Sequence, residues 1–294
     1  MNEKQFYSNL FELSLKYPPA ILKFLKSELQ LGKKYIVIDA HTHNGQISKL
    51  LTNHVHLVCS LTTDPGYHNY LKRNFKEIPN FLSLNSTPEL INIEDDSIDC
   101  ICIDETFSKF DSLRMGIEFE RILRLNTYVL LFLNQLHFTG DSFTKSFKQI
   151  LEQHNQTTTI SHSEIKPKLI EFFINGYQQQ TFKYRQSFTW QKIEQFFLTL
   201  IESKSLKKNP NSIKDLKVIF DTHQISGQVY MEYNTILYYG LFNHSTPEIS
   251  LRKSFFFQAL RPFAFGFYVL VKGNIYFWRA LYKLKEKIFG TKKP

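Results

Sequence analysis

The chain has 294 residues, 43% apolar and 21% charged, with a formal net charge of +9. That composition argues against wholesale disorder and allows one large domain, or one domain with an appendage. Three cysteines cannot all pair, and Cys59, Cys100 and Cys102 stand in apolar, strand-like runs, which argues against a disulfide framework and fits a reducing compartment.

Residues 3–31 read as helical, interrupted at Tyr17-Pro18-Pro19, where proline suits the first turn of a new helix. The start is polar and no apolar signal segment follows, so the expected location is cytoplasmic. Tyr35 to Asp39 is a continuous apolar run ending in a carboxylate, the pattern of a strand buried on both faces. A helix begins at Ile47. Further short strands are expected at His56–Leu61, Phe81–Leu84, Ile98–Ile103 and Tyr128–Leu133, with helices at Tyr67–Phe75 and Leu113–Leu123. This alternation predicts βαβ units in a doubly wound parallel sheet, where ligands bind beyond the C-terminal ends of the strands. The residues following Ile38, Leu61, Leu84, Ile103 and Leu133 are therefore the candidates for a site. Cys100 and Cys102 share one face of their strand and are expected in the core. Glu118 and Arg121 stand three apart on a helix and predict a surface ion pair.

After Asn134 the rhythm changes. Helices are expected at 141–154, 189–203 and 213–222, and strands at 182–188 and 228–239. In the last strand Val229, Met231, Tyr233, Thr235, Leu237 and Tyr239 share one face.

Several segments, in this order and spacing, resemble a class I S-adenosylmethionine (SAM)-dependent methyltransferase of the ubiquinone-biosynthesis or trans-aconitate methyltransferase type. They are Tyr17-Pro18-Pro19-Ala20-Ile21, Ile36 to Asp39 with a turn reaching Gly45, and Glu89 followed by Asp95 to Asp99. Phe107 to Asp111, Glu118 to Leu123, Phe188-Thr189-Trp190, Ser203 and Tyr233-Asn234-Thr235 continue the likeness, which covers roughly residues 5–242. The resemblance implies a Rossmann-like α/β fold: a mostly parallel sheet of about seven strands with helices on both faces, followed by a C-terminal helical tail. It divides the chain into a methyltransferase-like domain over 1–245 and a tail over 246–294. Within the domain, 1–31 is an N-terminal helical segment, 32–137 the cofactor half and 138–245 the substrate or lid half. It implies SAM as cofactor, methyl transfer to an acceptor the sequence does not name, and no metal. The cofactor contacts it implies are Asp39, His41, His43 and Gly45 in the first turn, Thr62, Thr87, Asp104 and Glu105.

The sequence departs from the family pattern in that first turn. Where the family reads Asp-x-Gly-x-Gly-x-Gly, this chain reads Asp39-Ala40-His41-Thr42-His43-Asn44-Gly45. Glycine permits positive φ and close ligand approach, which an imidazole does not. The second strand, which ends in an acid in the family, ends here at Thr62, and Arg124-Leu125-Asn126-Thr127 lacks the usual glycine turn. These departures leave two other functions in view. One is a non-catalytic methyltransferase-like partner or scaffold. The other is a metal-dependent hydrolase using Asp39, His41 and His43, because alternate histidines on an extended segment can face one metal. His137 is the one later histidine at a strand end.

Residues 251–294 carry ten basic residues and one acidic residue, which accounts for the whole net charge. Ile275, Trp278, Leu281, Tyr282, Ile288 and Phe289 form an apolar stripe beside Arg279, Lys283 and Lys287. A basic amphipathic helix of this kind predicts contact with a membrane surface, peripheral on the inner face, or with a protein partner. No recognition motif points to nucleic acid.

Overall fold

The computed structural model describes residues 3–40, 45–136, 142–153, 162–173, 175–202 and 210–242. The basic tail lies outside the described residues. Among those described, helices α1 (Glu3–Leu13) and α2 (Pro19–Ser27) come first. Then follow β1 (Ile36–Ala40), α3 (Gln46–Leu51), β2 (Leu57–Thr62), α4 (Pro65–Asn74), β3 (Phe81–Asn85) and β4 (Ile98–Ile103). A short 3-10 turn at Glu105–Lys109 leads to α5 (Ser112–Ile122) and β5 (Leu123–Leu136). The second half contains α6 (Phe143–Gln153), α7 (His162–Phe172), β6 (Gln178–Thr189), α8 (Trp190–Glu202), α9 (Pro210–His223) and β7 (Gln228–Phe242).

The strands form one sheet in the order β3-β2-β1-β4-β5-β7-β6. All pairings from β3 to β5 are parallel, whereas β7 runs antiparallel to both β5 and β6. The apolar runs explain the layering. Val37, Val58, Cys100, Cys102, Leu130 and Phe132 point to the face covered by Ile21 and Leu25 of α2 and Ile47 and Leu51 of α3. Ile38, Leu61, Ile101, Ile103, Val129 and Leu131 point to the other, covered by Met115, Phe119 and Ile122 of α5 and by Ile165, Leu169 and Phe172 of α7. With both faces covered, the strands have no polar alternation. A third core gathers Phe143, Phe147, Phe188, Phe196, Phe197 and Phe220 from α6, α8, α9 and the β6–β7 hairpin.

The structure changes several sequence expectations. Helix α7 was not anticipated. It contains Pro167, and an internal proline is a helix-breaking signal. Strand β5 is longer than its apolar run because its pairing with β4 starts at Ile98↔Leu123 and resumes at Cys100↔Tyr128. The residues between form a bulge, in which Asn126 takes the left-handed conformation at φ 57 in place of the missing glycine. Arg121 and Glu118 are no ordinary surface pair. Glu118 is buried and accepts from Ile91 N, while Arg121 donates to Ile91 O, Ile93 O, Asp95 and Glu118. Together they fix residues 86–97, which join β3 to β4 without a helix. Cys100 and Cys102 are core residues with free thiols.

Candidate functional site

β1 pairs with both β2 and β4, so the segments leaving these three strands lie side by side at one end of the sheet. Asp39, fully buried near the end of β1, accepts from Ser48 N at 2.9 Å and from Ser48 Oγ through Oδ2. The carboxylate thus ties the strand end to the first turn of α3. Gly45 caps α3 at φ 62. A Cβ there would lie 3.1 Å from Tyr67 Oη, 3.2 Å from Leu71 Cδ2 and 3.3 Å from Phe11 Cε2, so a side chain would strain the left-handed backbone and press on all three neighbours. His41 and His43 lie outside the described residues, as does His137.

β2 ends at Thr62, whose Oγ1 accepts from Asp64 N at 3.2 Å. The acid at this strand end is therefore Asp64, two residues later. It caps α4 by accepting from Tyr67 N at 3.0 Å, with Pro65 in the first turn. Tyr7 of α1 directs its hydroxyl at both carboxylate oxygens of Asp64, at 2.7 and 2.8 Å. Thr87 stands beyond β3, in a short antiparallel bridge with Leu90.

β4 delivers two acids. Asp104 is buried and accepts from Thr106 N at 2.9 Å, opening the 3-10 turn. Glu105 is half-buried. Burial, and then the adjacent Asp104 carboxylate, push its carboxyl up to about 8. Tyr17, in the connection between α1 and α2, is buried against the same group. Burial first, then Glu105, Asp104 and Asp39, hold its hydroxyl well above the usual phenol range. Tyr67 is raised for the same reasons, by burial, then Asp39, Tyr70, Asp104 and Asp64. The structure thus gathers Asp39, Asp64, Asp104 and Glu105 around two tyrosines. Among the described residues, the buried Tyr67 Oη and Ser60 Oγ have no hydrogen-bond partner.

Sequence reasoning placed Asp39, Gly45, Thr62, Asp104 and Glu105 at these strand ends but missed Tyr7, Tyr17, Asp64 and Tyr67. The Asp64-Pro65 pair, an N-cap residue followed by proline, carried a readable signal for the acid. The tyrosines come from α1, the α1–α2 connection and α4, and no local pattern marks them. A cleft of about 430 Å³ lined by Lys33, His56, Glu77 and Asn80 lies at the opposite end of the sheet, away from these carboxylates. No group of three or more His, Cys, Asp or Glu side chains is placed to hold a metal among the described residues. Nor is any helix among them long and apolar enough to cross a membrane.

No protein-family model matches the chain, and none of the curated proteins does. Solved structures do match. A candidate type II methyltransferase from Anaeromyxobacter dehalogenans superposes with a TM-score of 0.53 at 10% identity, covering 78% of this chain and 98% of its own. A candidate methyltransferase from Bacillus halodurans C-125 gives a TM-score of 0.50 at 12% identity, covering 76% and 98%. With its seven-stranded sheet and single antiparallel strand, this chain has the fold of the class I SAM-dependent methyltransferases.

Proposed function

We propose that this chain is a SAM-dependent methyltransferase acting on an acceptor still to be identified. The observation that carries the reading is the convergence of Asp39, Asp64, Asp104 and Glu105 at the end of β1, β2 and β4. This is the edge of a doubly wound sheet where ligands bind. SAM supplies a methyl group activated on a sulfonium and carries a ribose diol and a methionine ammonium. The residues present fit such a ligand. Acidic side chains suit its cationic centres, and two buried hydroxyls, Ser60 Oγ and Tyr67 Oη, have no partner among the described residues.

The chain's own groups then have distinct tasks. Asp39 fixes the start of α3 relative to β1. Asp104 holds the turn after β4, and so sets where Glu105 stands. Methyl transfer is an in-line displacement, so alignment supplies much of the acceleration. An acceptor that must lose a proton needs a base, and a carboxyl poised at about 8 is matched to that task. The basic tail suggests an acceptor or partner at an anionic surface, with the protein held at the inner face of a membrane.

Ultraviolet crosslinking with labelled SAM tests the reading. Label is expected in peptides covering 36–48, 62–67 and 98–109, and to be competed by S-adenosylhomocysteine. Label confined to other peptides, or insensitive to the competitor, counts against it.

A further inference from the structure

The connections that lead into β1, β2 and β3 meet at the end of the sheet opposite the carboxylates. His56 N donates to Tyr35 O at 2.9 Å, Val58 N to Asn80 O at 2.9 Å, and Asn80 Nδ2 to Val55 O at 3.0 Å and to Thr52 O. These bonds fix the walls of the cleft of about 430 Å³ that Lys33, His56, Glu77 and Asn80 line. A cleft of that size takes a small molecule. Two further basic groups stand at its margin. Lys26, in the last turn of α2, donates to His54 Nδ1 at 2.9 Å, and His54 lies in sequence between Asn53 and Val55 of the lining. Lys33 donates to Asn53 O at 2.7 Å.

The charges here are not matched. Neither Lys26 nor Lys33 has a carboxylate within ion-pair distance among the described residues. Each ammonium has three donors, and the contact each makes goes to a neutral acceptor. The groups also repel one another: burial first, then Lys26 and Lys33, lower the His54 imidazole from its ordinary value. Capping the carbonyls that follow α3 accounts for Lys33. It does not account for Lys26, which is spent on an imidazole, or for His56 on the cleft wall. An anion would relieve the repulsion and accept hydrogen bonds from all four. Lysine and imidazole offer point charges and single donors, with no arginine fork in the lining, which suits a compact phosphate. Glu77, the one carboxylate among the lining residues, can accept from a hydroxyl or amino group elsewhere on the same ligand.

We propose that this cleft binds the phosphate group of a small soluble molecule through Lys26, Lys33, His54 and His56, with Glu77 accepting from a hydroxyl or amino group of the same ligand. It is a second site, at the opposite end of the sheet from the candidate cofactor site, and it stands or falls independently of the SAM reading.

The test follows histidine ring signals by NMR in the full chain, labelled at histidine, during titration with inorganic phosphate at constant ionic strength, with chloride as the control. The signals of His54 and His56, assigned through His54→Gln and His56→Gln, are expected to shift saturably with a Kd of about 1 mM. Lys26→Gln and Lys33→Gln keep an amide donor for the neighbouring acceptor and remove charge from exposed side chains, so both are expected to fold, which circular dichroism checks. Each is expected to weaken phosphate about threefold or more, and Glu77→Gln to tighten it by a similar factor. A lysine that only caps a helix would lower the melting temperature on substitution and leave the phosphate affinity alone. Shifts matched by chloride, shifts confined to other histidines, or an affinity unmoved by both lysine substitutions would overturn the site. If phosphatidylglycerol vesicles move the two signals and inorganic phosphate does not, the phosphate is a lipid's and the soluble ligand is wrong.

Discussion

Glu105 shows how one residue's surroundings set its chemistry. Its carboxyl is raised from an ordinary 4.5 to about 8 by burial and by Asp104. Between those values the folded protein holds a proton that the unfolded chain has lost, so stability falls as pH rises through this window. Replacing Glu105 by Gln removes the titration. Thermal melts from pH 4 to 9 are expected to show wild type and Glu105→Gln converging at the acid end. The variant should become progressively the more stable of the two up to pH 8. Parallel curves would mean that Glu105 titrates in the fold as it does in water. Asn126 makes a second case. Its φ of 57 is the conformation a glycine would adopt without cost. Asn126→Gly is expected to leave stability unchanged or slightly higher, and Asn126→Val to lose about 1–2 kcal/mol, as measured by denaturant melts. Equal stabilities for the two variants would contradict the bulge.

At the scale of elements, the buried strands were legible because continuous apolar runs have few alternatives. Ile36 to Asp39, Ile98 to Ile103 and Tyr128 to Leu133 all stand in the sheet where their pattern put them. The last strand was legible through alternation, with Val229, Met231 and Tyr233 facing one core. What was not legible depends on distant partners. Helix α7 holds Pro167 yet survives, because Ile165, Leu169 and Phe172 on its inner face pack against α5 and the sheet. The Glu118–Arg121 pair reads as a surface motif until residues 86–97 fold over it. The site follows the same division. Asp39, Asp104 and Glu105 could be found from strand ends. Tyr7 and Tyr17 come from the N-terminal segment, and their meeting with Asp64 and Glu105 is a product of the tertiary fold.

For the whole molecule, the decisive feature is where the charges gather. The sheet and its helices bury apolar residues on both faces, and Asp39, Asp64, Asp104 and Glu105 stand at or just beyond the C-terminal ends of β1, β2 and β4. His41 and His43 fall in sequence between Ala40 and Gly45 and lie outside the described residues. A second, aromatic lobe is added by α6, α8 and α9. Calorimetric titration with S-adenosylhomocysteine asks whether a nucleoside cofactor binds this protein, as we propose. A single-site isotherm with Kd below about 1 mM is expected of the wild type. Absence of saturation at millimolar ligand would rule the cofactor out.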